Sequence, residues 1–61
     1  MVVFIFYDGK HENIKMNDDE NILKFALPSV GEKVTFNSFD FYQVVKIVHN
    51  YNEERLEIHL E

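Results

Sequence analysis

The chain opens on seven consecutive apolar residues, Met1-Val-Val-Phe-Ile-Phe-Tyr7, and no other stretch constrains the fold as much. Its β-branched and aromatic content reads as a strand. Successive strand side chains point to opposite faces, so Val3, Ile5 and Tyr7 face one way and Val2, Phe4 and Phe6 the other. A strand with one wet face alternates apolar and polar residues; this one asks for cover on both sides. The whole chain has 61 residues. A domain of that size buries only about 60% of the surface its unfolded form exposes. It has no cysteine, so no disulfide or thiolate metal site stiffens it. A second copy is the expected cover, with Val2, Phe4 and Phe6 at a homodimer seam.

The same run is too short to cross a membrane, which takes about 20 apolar residues in a helix. It also lacks the basic start and small-residue cleavage site of a secretory signal. A cytoplasmic location is expected, and the absence of cysteine agrees with a reducing compartment.

Turn residues divide the remainder into a single domain over residues 1–61. Asp8-Gly9 favours the positive φ of a tight hairpin. His11 to Asn17 then reads as a half-wet strand, with Ile14 and Met16 inward. Asn17 to Leu27 has two readings: a hairpin tip followed by a strand over 22–27, or one short helical turn at 18–26 capped by Asn17 or Asp18. Pro28 ends either element. Short strands follow at Lys33 to Asn37 and Phe41 to Tyr51, the latter with Val45 and Ile47 on one face and Tyr42, Val44 and Val48 on the other. Arg55 to Glu61 alternates cleanly, with Leu56, Ile58 and Leu60 in and Arg55, Glu57, His59 and Glu61 out as solubilising residues. The expected fold is all-β: five to six short strands in a small curled antiparallel sheet or SH3-like barrel.

Few residues suggest reactive chemistry, so no enzyme and no cofactor is expected. Ser29, Thr35 and Ser38 lie in or beside turns, and no nucleophile-elbow glycines flank either serine. His11 and Glu12 are adjacent, so on a strand they face apart, and His49 and His59 lie too far along neighbouring strands to chelate together. The two glycines stand alone, which excludes a phosphate loop. Tyr7, Phe39, Tyr42 and Tyr51 have faces that can stack on bases, but 11 acids against 6 Lys and Arg give a net charge of −5, which argues against nucleic acid.

Protein recognition fits better. Nine aromatic residues, six Phe and three Tyr, exceed what so small a core hides. Exposed aromatics supply much of the energy at interfaces. Phe39 sits in a polar turn, Asn37-Ser38-Phe39-Asp40, and Tyr51 at a hairpin tip. Phe39, Asp40 and Tyr51 are the candidate contacts, with Asp18, Asp19 and Glu20 as an acidic rim.

Leu27-Pro28-Ser29-Val30-Gly31-Glu32-Lys33-Val34, followed by Phe41-Tyr42-Gln43-Val44-Val45-Lys46-Ile47-Val48-His49, carries a resemblance. It resembles small accessory proteins of tailed phages and their prophages, in which a Leu-Pro-x-Val-Gly-Glu loop leads into a short strand, a tight turn, a Tyr-x-Val strand ending near a His, and a final strand. The likeness covers about the last 34 residues. Those proteins often carry Gly in the turn before the Tyr, where this chain has Asn37 to Asp40 with Phe39, so the tip is rebuilt here. The resemblance implies a phage-encoded, non-enzymatic inhibitor acting in the host cytoplasm. It would block a bacterial defence protein by steric binding as a homo-oligomer. A virion structural or assembly accessory, or a weak single-stranded nucleic-acid-binding domain, are the alternatives.

Overall fold

The computed structural model describes residues 1–16 and 27–61. Among them are five strands and no helix: β1 (Val2–Phe6), β2 (Ile14–Met16), β3 (Lys33–Thr35), β4 (Phe41–Asn50) and β5 (Arg55–Leu60). They form one sheet in the order β2-β1-β5-β4-β3, curled into a half-barrel. The alternatives weighed for 18–26, and the expected strand over 22–27, lie outside the described residues apart from Leu27.

Local chemistry places the hairpins. Gly9 takes φ +72°, and the Asp8 carboxylate accepts the backbone N–H of Lys10 and His11 at 2.8 and 3.0 Å. β2 folds back on β1, pairing Val2 with Met16 and Phe4 with Ile14. The connection is longer than the tight hairpin expected at Asp8-Gly9: β1 ends at Phe6 and β2 begins only at Ile14, because the Asp8 side chain holds a wider loop through Lys10 and His11. Ahead of β3, Gly31 at φ +93° donates its N–H to the Val44 carbonyl at 2.8 Å. β3 pairs with β4, and β4 with β5, antiparallel.

The pairing of β1 with β5 is parallel, in register from Val2 against Leu56 to Phe6 against Leu60. The expected sheet was wholly antiparallel; the observed one is mixed. Backbone bonds from Leu56 N–H to Met1 O (2.8 Å) and from Tyr7 N–H to Leu60 O (3.3 Å) prolong this pair at both ends.

Parallel placement in the middle of the sheet accounts for the doubly apolar β1. Interior strands covered on both faces read as unbroken apolar runs. Val2, Phe4 and Phe6 join Val44, Ile58 and Leu60 in the core, with Ile14, Met16, Leu27, Val34, Tyr42, Ile47 and Leu56 packed around them. Val3, on the other face, is 1% exposed. Val2, Phe4 and Phe6, assigned from the sequence to a homodimer seam, are core residues within one chain, so their apolar side chains need no second copy to cover them.

Two further corrections concern faces. Val44 pairs with Leu60 and Lys46 with His59, leaving Val45 as the extra residue of a bulge. The bulge breaks the simple alternation, so Val44 and Ile47 share the core side, where a strict two-residue period separates them. On β5, Leu56, Ile58 and Leu60 face the core as expected. Glu57 and His59, however, are 7% and 8% exposed, so their face is covered and they are not solubilising residues.

Candidate functional site

The β3–β4 connection presents Phe39 to solvent at 87% exposure. Its turn is tightly held. Asn37 Oδ1 accepts the N–H of Phe39 and of Asp40 at 2.9 and 2.8 Å, and Asn37 Nδ2 donates to Asp40 Oδ2 at 2.9 Å. Thr35 Oγ1 accepts the N–H of Ser38 at 2.9 Å, and Ser38 takes the left-handed φ of +68°. Asn and Ser suit such a turn because their short side chains bond the local backbone. Asp40 is thereby spent partly on the turn itself. Phe36 and Phe41, both exposed, flank the tip. Phe36 also packs edge-on against Phe4, with ring centroids 5.1 Å apart, and so ties the tip to the core.

Tyr51, 88% exposed, lies at the other end of β4. A ten-residue strand is about 30 Å long at its usual rise. That equals the longest dimension of the molecule, 30 Å. Phe39 and Asp40 thus form one surface and Tyr51 belongs to another. Asp18, Asp19 and Glu20 lie outside the described residues.

Around the Phe39 end sits a small polar cluster that sequence reading missed. The His11 ring lies 2.5 Å from Asp8 Oδ2 through Nδ1, and the Tyr42 hydroxyl reaches Asp8 Oδ2 at 3.5 Å. His11 stacks on Phe6 at 5.4 Å, and Tyr42 meets Phe6 edge-on at 5.0 Å. The backbone N–H of Lys10, then that of His11, holds the Asp8 pKa down at about 2 despite some desolvation. Tyr42 is shifted upward, first by desolvation and then by the nearby Asp8 and Asp40 carboxylates.

A second polar group runs along the face of β5 turned away from the core, where Glu57 and His59 are buried. Glu57 Oε2 accepts from Asn50 Nδ2 at 3.0 Å and from Arg55 Nε at 2.8 Å. Glu57 Oε1 lies 3.0 Å from His59 Nε2, and His59 Nδ1 is hydrogen-bonded to the Tyr7 hydroxyl. The donors on Asn50, Arg55 and His59, in that order, lower the Glu57 pKa to about 2. Tyr7, His59 and Glu57 come from the end of β1 and from alternate positions of β5. The parallel register that sets Ile5 against His59 brings Tyr7 within reach. A two-residue spacing of Arg55, Glu57 and His59 is visible in the sequence; the covering of their face, which turns the row into a relay, is not.

Described residues also line two open clefts. One, of about 330 Å³, is lined by Val2, Leu27, His49, Tyr51, Arg55 and Leu56 among others. The other, of about 400 Å³, is lined by Phe4, Met16, Pro28, Val34 and Phe36 among others. The described residues lining them do not include Tyr7, Glu57 or His59. No group of three His, Asp or Glu among the described residues is placed to hold a metal ion. No described helix is long and apolar enough to cross a membrane.

Fold and surface define a small all-β half-barrel with an aromatic tip. The chain matches no protein-family model, no curated protein and no solved structure.

Proposed function

We infer that this chain is a non-enzymatic protein-binding domain that docks on its partner through the β3–β4 tip, with Phe39 as the anchor. The carrying observation is a large apolar ring standing almost wholly in solvent on a turn fixed by its own hydrogen bonds. Burying such a side chain in a partner is worth about 1.5–3 kcal/mol. A ring carried on a backbone turn already held in place costs less chain ordering on binding than one on a loose loop, so more of that energy becomes affinity. Phe36 and Phe41 widen the apolar contact.

Asp40 and Asp8 lie at this end, as do Glu61, paired with Gln43, and Glu32, bonded to Val44. The complementary surface is an apolar pocket with a basic rim. The resemblance of residues 27–60 to phage accessory proteins supports placing that partner among bacterial defence proteins, blocked sterically. This reading does not require a second copy of the chain, because Val2, Phe4 and Phe6 are covered within one.

The test is capture of bacterial proteins on immobilised chain, wild type beside Phe39→Ala. The variant is expected to keep its thermal midpoint, since exposed substitutions change stability by less than about 0.5 kcal/mol. It is also expected to lose a partner that the wild type retains at moderate salt. Retention of every partner by the folded variant would reject the tip as the docking site. Displacement of the captured material by nuclease treatment would favour the nucleic-acid alternative.

A further inference from the structure

Three tyrosines sit in three different surroundings. Tyr51 stands in open solvent at 88% exposure. Tyr42 has carboxylates for neighbours, which favour its protonated form. Tyr7 is half exposed, and its hydroxyl meets a buried imidazole whose far nitrogen lies against a buried carboxylate. We propose that Tyr7 is a nucleophilic tyrosine with His59 as its general base and Glu57 as the positioning residue, a site that accepts activated acyl groups on its phenolic oxygen.

The geometry sets the direction of the relay. Glu57 is fixed on Oε2 by Arg55 at 2.8 Å and Asn50 at 3.0 Å, which leaves Oε1 aimed at His59 Nε2 at 3.0 Å. Held as an anion by these donors, the carboxylate only accepts. In the neutral imidazole the ring proton therefore sits on Nε2 and the Nδ1 lone pair faces the Tyr7 O–H. A nucleophile, a base within hydrogen-bond reach and a third group that orients the base are the elements of nucleophilic activation. The Tyr7 and His59 rings lie 5.5 Å apart at 51°, which keeps the phenolic oxygen at the imidazole edge. Lys46 on β4 and Ile5 on β1 are the register neighbours of His59. Half the Tyr7 surface remains open to a reagent.

With an acyl imidazole as donor the step balances. Tyr7 Oη forms a bond to the acyl carbon as its proton passes to His59 Nδ1. The bond from the acyl carbon to the imidazole nitrogen breaks, and the leaving imidazole takes the proton from His59. Tyr7 ends as an ester and His59 as the neutral ring it began as. This site is separate from the Phe39 tip and does not depend on the docking reading.

N-Acetylimidazole at limiting concentration, with acetylation at each tyrosine followed by mass spectrometry of peptides, tests the proposal on the intact chain. A well-placed general base is commonly worth about 10²–10⁴ in rate. Tyr7 is accordingly expected to acetylate about tenfold or more faster than Tyr51, although Tyr51 is the more exposed. In His59→Gln the Tyr7 rate should fall to that of Tyr51 or below, with the Tyr51 rate unchanged. A Tyr7 rate no greater than that of Tyr51 in the wild type overturns the proposal, and so does an undiminished rate in folded His59→Gln. Should that variant fail to fold, the wild-type ratio decides alone.

Discussion

The carboxylate of Glu57 receives donors from two strands of the sheet, and its charge is therefore coupled to the folded state. Its folded pKa of about 2 lies below the ordinary value of 4.5. A carboxyl group with a depressed folded pKa stabilises the fold fully above its unfolded pKa, and that contribution is lost as pH falls through the folded value. Acidification from pH 5 to pH 2 is expected to lower the urea midpoint of the wild type progressively. Glu57→Gln should show a shallower acid limb than the wild type. Asp8, lowered to about 2 by the backbone N–H groups of its turn, contributes in the same window and leaves a residual slope in the variant. Equal slopes for the two proteins between pH 5 and 2 would contradict this assignment to Glu57.

Among the elements, β4 carries the device that bends the sheet. Val45 is the unpaired residue between Val44, opposite Leu60, and Lys46, opposite His59. Deleting Val45 leaves Val44 inward and Lys46 outward in a regular ladder. That variant is expected to unfold cooperatively at a cost of about 1–3 kcal/mol. Deleting Val48 instead draws Lys46 into the place of Ile47, opposite Ile58, and sends Ile47 outward. A 61-residue chain has only about 3–9 kcal/mol of stability in total, so an unpaired lysine in the core should abolish the fold. Circular dichroism melts of both deletions check the pair; a folded Val48 deletion would show the bulge to be misplaced. This element also marks how far sequence carries. The chain reversal and positive φ at Gly9, the strand regions of β4 and β5, and the inward set Leu56, Ile58 and Leu60 follow from turn chemistry and a two-residue period, whereas the length of the β1–β2 loop does not. A bulge leaves no mark in an apolar stretch such as Val44-Val45, because either residue suits either face. The period likewise separates Glu57 and His59 from the core side but says nothing about whether their own face is covered. Phe39 was legible as an exposed ring because its neighbours are turn formers; the Tyr7 relay was hidden, since it needs a contact between distant parts of the chain.

At the scale of the whole molecule, that distant contact dominates. β1 lies beside β5, so the first strand finds its central partner only across nearly the full length of the chain. Non-local pairing requires loop closure before any contact energy returns, and sheets dominated by it fold in milliseconds to seconds. Stopped-flow refolding is expected in that range, well above the microseconds typical of local helical contacts. A submillisecond refolding phase with full amplitude would show that β1 and β5 are not the slow closure.

The parallel strand pair also bears on synthesis. Until Arg55–Leu60 has left the ribosome, the oily leading segment Val2–Phe6 has no central neighbour to lie against, however early it was made. Translation must therefore deliver nearly every described residue before the half-barrel closes. During that interval its apolar side chains lack the cover that β5 gives them, and such transiently bared strands are where misassembly starts.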